Sequence, residues 1–345
     1  MRIALCLEQT LGHRTHTRNL IEAARTRPVD VEVVLVECAE PGRLSMPWAV
    51  RASVNACRQL RKRMPVDVAL FHTQSVGLLA QRATGGRPYV ISLDATPTQI
   101  DSMGSYYNHW RSRRGIEWGK ATVYRRVLRG AAGIVAWSDW VRASLVEEYG
   151  VDPGRVCVVP PGAGPEFFSI EPHAAEAVPN ILFVGGDFYR KGGDVLLKVF
   201  EQLAGRATLT IVTTDPLGPQ PPGVTVVNNA TPGSRTLIEC YERADIFCLP
   251  TRADAAAIAV SEAMAAGLGV VTTNVGSVGE AVQSEQSGLI VRPGSESEFF
   301  VALDRLISDR ALLRRLRDGG RQRAREHLDA RINAERLLGF LETVA

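Results

Sequence analysis

The chain lacks several features that would each have fixed its class. No stretch approaches the roughly 20 apolar residues that a membrane-spanning helix needs, so none is expected. The six cysteines, Cys6, Cys38, Cys57, Cys157, Cys240 and Cys248, contain no CxxC pair. Several lie inside apolar runs, which favours reduced core thiols over a disulfide framework. The histidines His13, His16, His72 and His109 match no metal-ligand spacing, so no metal is expected. No repeat of 20–50 residues recurs, which excludes a solenoid. Lysine is scarce: Lys62, Lys120, Lys191 and Lys198 are all there are. Residues 1–7 are too short for a signal peptide and run into Gly12-His13-Arg14, so they read as a first strand in a cytoplasmic protein.

What is present suits a soluble enzyme-sized chain. At 345 residues, with 45% apolar and 22% charged side chains, about two globular domains are expected. The net charge of +3 hides an asymmetry: residues 1–165 carry 22 basic and 14 acidic side chains, and the remainder 18 and 23. A basic first half suits an anionic partner or a set of well-solvated helices, and both readings stay open.

Short Val/Ile/Leu-rich runs at 3–7, 31–36, 68–71, 89–93, 134–137 and 156–159 alternate with helical patterns at 19–25, 51–63, 121–129 and 140–148. Strands buried on both faces have this composition, and strand–helix alternation implies a parallel, doubly wound sheet. Residues 160–165, Pro-Pro-Gly-Ala-Gly-Pro, and the polar stretch to Pro179 read as a linker and hinge. The alternation restarts at 181–184 and continues through 208–212, 224–227, 246–249, 270–272 and 289–291; helices follow from 297 to the end. The expectation is an α/β protein of two Rossmann-like doubly wound domains, at 1–165 and 178–329.

Ligands of such sheets bind beyond the carboxyl ends of the strands, so the residues after each strand matter most. After the first strand, Gly12 allows a tight turn and Thr15 or Thr17 can cap a helix whose N-terminus would favour an anion; a plain turn is the alternative. The lack of GxGxxG there argues against a dinucleotide site. His72 follows the third strand and Asp94 the fourth, where Asp94 is either a functional carboxylate or a helix cap. In the second half, Gly185-Gly186-Asp187-Phe188-Tyr189-Arg190-Lys191-Gly192-Gly193 joins a strand to the helix expected at 195–203. Glycines around adjacent cations suit a diphosphate, although no Walker Gly-Lys-Ser/Thr is present; a solvated turn is the alternative. Asp254 then precedes a helix expected at 256–266 and ended by Gly267. The small residues around Ala257 and Ile258 would let a phosphate sit on the first amides, and Glu262 would reach a ribose. An Asp cap and a surface Glu are the alternative.

Taken together these residues resemble the GT-B glycosyltransferases, specifically the retaining family four. The resemblance runs along essentially the whole chain and is most specific over 181–293. It rests on Gly185–Gly192, on Asp254 and Glu262 with Ala263-Met264-Ala265-Ala266-Gly267, on Gly276-Ser277-Val278-Gly279-Glu280, and on Gly288-Leu289-Ile290-Val291. It implies two domains facing across a cleft, the second binding a nucleotide-sugar (UDP or GDP type) and the first an acceptor, with a last helix at about 330–345 crossing back. It implies that Glu262 holds the ribose, that Lys191, Arg190, Gly186 and the amides of Ala257 and Ile258 meet the diphosphate with Gly12, that Asp254 contacts the donor sugar, and that Asn229, Ala230 and Thr231 meet the base. His13, His16 and His72 would face the acceptor, a glycan, lipid-linked or small molecule. The chain departs from that pattern at Asp254 for Glu, Gly186 for Arg, Gly269 for Pro and Asp94 for His. Asp94 could orient a donor-sugar hydroxyl or take the acceptor proton.

The resemblance implies metal-independent transfer with retention, without a further cofactor. A nucleotide-sugar epimerase, or a degenerate sugar-nucleotide binder on the same fold, are the other readings. The stretches 51–63, with five basic residues and no acid, and 111–129, near Tyr106, Tyr107, Trp110, Trp118 and Tyr124, suit either an anionic membrane face or plain surface helices. No nucleic-acid module is recognised.

Overall fold

The computed structural model describes residues 1–10, 12–37, 47–107, 114–173, 178–203 and 205–345. Cys38, His109, Trp110, Arg111 and part of the linker, 174–177, lie outside the described residues. The chain divides into two compact units, Met1–Pro160 with Arg331–Ala345, and Pro161–Ala330.

Unit 1 holds six parallel strands: β1 (Arg2–Glu8), β2 (Asp30–Val36), β3 (Val68–His72), β4 (Tyr89–Leu93), β5 (Gly133–Ala136) and β6 (Val156–Val158), ordered β2-β1-β3-β4-β5-β6. Strand side chains alternate between faces, and both faces are covered. Ala4, Cys6, Ala69 and Phe71 point into one core cluster. Ile3, Leu5, Leu7, Val68 and Leu70 point into the other, where Leu337, Leu338 and Leu341 of the C-terminal helix Ala330–Val344 pack against them. Two-sided burial explains why these strands read as continuous apolar runs.

Unit 2 repeats the plan with β7 (Asn180–Val184), β8 (Thr208–Val212), β9 (Val224–Val227), β10 (Ile246–Leu249), β11 (Gly269–Thr273) and β12 (Leu289–Val291), all parallel and ordered β12-β11-β10-β7-β8-β9. One continuous core runs from Ile181, Phe183 and Val199 to Phe247, Val270, Phe299 and Leu316. Each sheet reverses its direction of growth once: between β1 and β3 in unit 1, and between β7 and β10 in unit 2. Such switch points open a crevice beyond the strand ends, where open α/β sheets take their ligands.

The first helix corrects the sequence reading. It spans His13–Arg25 rather than starting at 19, with Gly12 as N-cap. Thr15 and Thr17 are buried inside it and cap nothing. Gly12 has φ −63°, so the turn needs no glycine. Among the described cysteines, Cys6, Cys57 and Cys248 are buried, Cys157 and Cys240 half-buried, and all are free thiols. Burial pushes the Cys6 thiol up to about 12.

Candidate active site

In unit 2, the loop after β7 and the loop after β10 flank the switch point. Gly185 donates its N–H to Val212 O at 2.9 Å. Gly192 adopts φ +79° and caps the helix Gly193–Gln202; a Cβ there would press into the Pro250 carbonyl. The two loops are tied together by Arg252. Its guanidinium donates to both Asp194 carboxylate oxygens, at 2.6 and 2.8 Å, and lies over the Tyr189 ring at 4.5 Å. Against the upward push of burial, these Arg252 contacts hold the Asp194 carboxyl below its ordinary value.

On this frame sit the charged groups singled out from the sequence. Lys191 Nζ donates to Asp254 Oδ2, and both side chains are largely buried. The helix following Asp254 spans Ile258–Ala265, shorter than expected, and its N-cap is Ala257 with no side-chain cap. Asp254 is therefore not a helix cap. Glu262 is only 6% exposed, which removes the surface-Glu reading. Its Oε2 accepts from the Tyr241 hydroxyl at 2.9 Å. Arg190 is buried, and its guanidinium donates to Asp187 at 3.0 Å and to Ala253 O at 2.7 Å, so it braces the loop. Gly186 is exposed, and a Cβ there would meet only Thr214 Oγ1, at an ordinary contact distance of 3.8 Å. Asn229 and Thr231 are exposed and Ala230 is half-buried, in the loop after the edge strand β9. Gly276, at φ +56°, lies against the Asp254 carbonyl, and Ser277 N–H donates to Ala255 O at 3.0 Å.

Unit 1 gathers a second constellation at its own switch point. Glu8 ends β1, His72 ends β3, Asp94 follows β4 and Trp137 follows β5. His72 Nε2 lies 2.8 Å from His13 Nδ1, and His72 Nδ1 lies 3.2 Å from Ser92 O. Trp137 stacks on His72 at 5.1 Å, and His16 packs against both rings. Burial holds the His16 imidazole down at about 3 and the His72 imidazole well below its ordinary value, so both are neutral. Asp94 caps nothing: the following helix, Pro97–Ser102, is capped by Thr96 in a reciprocal box with Gln99. Asp94 is half-buried, with His13 Nε2 at 3.8 Å from Oδ2.

Sequence reasoning did not single out Tyr241, Arg252, Glu8, Trp137 or Thr73, whose hydroxyl donates to Glu8 Oε2 at 2.8 Å. Position after a strand could have found Glu8, Thr73 and Trp137. Tyr241 carries no such signal, because it reaches Glu262 from a separate helix, Arg235–Glu242. No cluster of three or more metal-ligating side chains forms among the described residues. No described helix is long and apolar enough to cross a membrane.

Two doubly wound units, each with polar side chains gathered at its switch point, define the architecture of a GT-B glycosyltransferase. A family model described as "Glycosyl transferases group 1" matches residues 178–309, and one described as "Glycosyl transferase 4-like domain" matches 10–162. The chain belongs to this glycosyltransferase family. A D-inositol 3-phosphate glycosyltransferase of Nocardia farcinica is 28% identical over 218 residues, covering 56% of this chain and 48% of the relative. The match thus spans about half of that relative's length. An MMP alpha-(1->4)-mannosyltransferase of Mycolicibacterium hassiacum is 25% identical over 319 residues, covering 88% and 77%. Among solved structures, sucrose-phosphate synthase of Thermosynechococcus elongatus has a TM-score of 0.79 at 17% identity, covering 100% of this chain and 99% of that one. HepE of Anabaena, solved with UDP and glucose, has a TM-score of 0.73 at 14% identity, covering 99% and 100%. At these identities the structural likeness speaks to the fold alone.

Proposed function

We propose that unit 2 binds a nucleoside diphosphate sugar, of UDP or GDP type, and that unit 1 binds the acceptor whose hydroxyl receives the sugar. The observation that carries this reading is the Lys191–Asp254 pair, which joins the loops after β7 and β10, with the buried Glu262 on the helix that follows the second loop. Glu262, held by Tyr241, accepts hydrogen bonds from the ribose hydroxyls. Lys191 turns from Asp254 to the diphosphate, joined by the amides at Ala257 and Ile258, and Asp254 is released to a donor-sugar hydroxyl. Asn229, Ala230 and Thr231 meet the base.

In the reaction the acceptor oxygen bonds to the anomeric carbon. The bond from that carbon to the diphosphate oxygen breaks, and the nucleoside diphosphate leaves with the electron pair. Negative charge grows on the leaving group, so Lys191 and the helix amides act most strongly in the transition state. We propose retention of configuration, the acceptor proton passing to the departing phosphate. Lys191 and the amides supply the charge compensation in this scheme without a metal ion. The HepE complex with UDP and glucose supports a nucleotide-sugar donor by analogy of fold. A mass-spectrometric screen of sugar nucleotides, paired with calorimetry of UDP and GDP, tests the reading. Consumption of one donor, with Glu262→Ala weakening nucleotide binding, is expected; no binding of either nucleotide would overturn it.

A peripheral membrane contact is proposed on a separate observation. Helix Arg114–Gly130 exposes Trp118, 72% exposed, on the same face as the exposed Arg125 seven residues on. An apolar and basic surface of this kind suits an anionic bilayer face. Flotation with anionic liposomes, abolished by Trp118→Ala or by high salt, is the expected result.

A further inference from the structure

The histidine constellation of unit 1 has a chemistry that its distances determine. His72 Nδ1 faces Ser92 O at 3.2 Å, and a carbonyl can only accept, so Nδ1 carries the hydrogen. A neutral imidazole has one N–H, which leaves His72 Nε2 bare and able only to accept. His13 Nδ1, 2.8 Å away, must then be the donor. In a neutral His13 this leaves Nε2 bare in turn. That atom lies 3.8 Å from Asp94 Oδ2 and 3.9 Å from Glu8 Oε1, both beyond hydrogen-bond distance. The Glu8 carboxylate is already occupied, by the hydroxyls of Thr10 and of Thr73, the latter at 2.8 Å. Asp94 makes no hydrogen bond among the described residues.

We propose that His13 Nε2 and the Asp94 carboxylate form a site that recognises adjacent hydroxyl groups of an uncharged polyol or sugar, and that His72 is the positioning residue that fixes the tautomer of His13. The inference rests on the reading of unit 1 as the acceptor-binding unit and deepens it. With His13 neutral, both atoms accept and neither donates, so the ligand must bring the hydrogens. A phosphate or carboxylate placed here would meet the bare His13 Nε2 and the carboxylates of Asp94 and Glu8, and is rejected. The site is rigid as well as selective. The His72 ring is clamped by Trp137 at an interplanar angle of 9°, His16 packs against both, and the His16 Nε2 is buried in this cluster with no partner. The position agrees with the chemistry: Glu8 and His72 end the two strands, β1 and β3, between which the sheet reverses.

The test is long-range proton–nitrogen NMR on protein labelled with nitrogen-15 at histidine, at mildly alkaline pH. The expected spectrum shows both His72 and His13 as the Nδ1–H tautomer. His13 with its hydrogen on Nε2 would overturn the proposal. The second arm adds myo-inositol, methyl α-mannoside or methyl α-glucoside to protein saturated with whichever of UDP and GDP binds. At least one polyol should shift the His13 Nε2 resonance, and Asp94→Asn should abolish that shift without changing the tautomers. His72→Phe should redistribute the His13 tautomers; if that variant does not fold, the Asp94 variant still decides. A shift produced by inorganic phosphate or ammonium ion but by none of the polyols would overturn the proposal, as would no shift at all. Absence of binding by both UDP and GDP strikes the donor reading instead, so the two failures are distinguishable.

Discussion

Tyr241 and Glu262 are joined by a hydrogen bond of 2.9 Å in the core of unit 2, the phenol fully buried and the carboxylate nearly so. Burial, and then the neighbouring Glu262 charge, push the Tyr241 hydroxyl well above its ordinary pKa, so it remains a donor. A carboxylate so placed is aimed by Tyr241 rather than free to rotate. Tyr241→Phe removes a hydrogen bond to a charged group, worth on the order of 1.5–3 kcal/mol. Nucleoside diphosphate binding should weaken by about 10-fold or more, since each 1.4 kcal/mol is a factor of ten. Calorimetry is the check, and an unchanged Kd would show that Glu262 does not depend on its partner.

Lys191 donates to Asp254, a pair that donor binding would have to exchange. In the role proposed for Lys191, its removal would leave leaving-group charge without its cation, a loss felt mainly in the transition state. Lys191→Ala should lower kcat by about 10²-fold while nucleotide affinity changes much less. Steady-state kinetics beside calorimetry separates the two. Equal losses in both would make Lys191 a binding residue only.

Gly192 makes the frame possible. Its φ of +79° is costly for other residues, and its Cβ position is filled by the Pro250 carbonyl. Gly192→Ala should destabilise by about 1–3 kcal/mol and displace Lys191, its neighbour in the chain. Thermal unfolding and donor KM should therefore move together. A variant with wild-type stability would mean that the loop relaxes without strain.

The strands were legible and the site only partly so, for one physical reason. A strand buried on both faces must be apolar at nearly every position, as Ile3 to Leu7 and Ile246 to Leu249 are, and such runs stand out in sequence. The first turns of the first helix hide because their buried side is built from Thr15, His16, Thr17 and Asn19, which give no apolar period, whereas Leu20, Ala23 and Ala24 mark its second half. Lys191, Asp254 and Glu262 could be found because strand exits and glycines mark them. Tyr241 could not, since a tyrosine 21 residues from Glu262 shows its purpose only when two helices meet. Asp94 was legible in position but not in setting: nothing in sequence separates a cap from a carboxylate beside a histidine.

The buried imidazoles give unit 1 an acid-sensitive stability. His16 has its folded value lowered from 6.5 to about 3, so the unfolded chain binds a proton that the folded one refuses. Stability from this group is full above about pH 6.5 and declines as pH falls toward 3, by about 1.4 kcal/mol per pH unit. His72 acts in the same direction. Denaturant unfolding from pH 7 to pH 5 should show this loss, and His16→Gln should reduce its slope by about one proton. A slope that does not change in His16→Gln would mean that His16 is protonated in the folded state.

Asp94 is the sharpest test of the acceptor side. Its carboxylate lies 3.8 Å from His13 Nε2, and Thr96 rather than Asp94 caps the helix that follows. Two roles lead to different numbers. A carboxylate that takes the acceptor proton contributes roughly 10²–10⁴-fold to kcat, as general bases do. One that only accepts a hydrogen bond from a hydroxyl contributes about 1.5–3 kcal/mol, or about 10- to 100-fold, and mainly in kcat/KM for the acceptor. Asp94→Asn keeps the size and one acceptor oxygen but removes the charge and places an amide donor beside His13. The recognition site argued for His13 and Asp94 leads to the second outcome: a loss of about 10- to 100-fold in kcat/KM for the acceptor, with donor KM nearly constant. Hydrolysis of the donor by water, which needs no polyol at this site, should be retained by the variant. If donor hydrolysis and transfer fall together by more than about 10³-fold, Asp94 acts in the bond-breaking step, and the base role is the correct one. NMR of the product adds an independent reading, since inversion at the anomeric carbon would require such a base and retention would not.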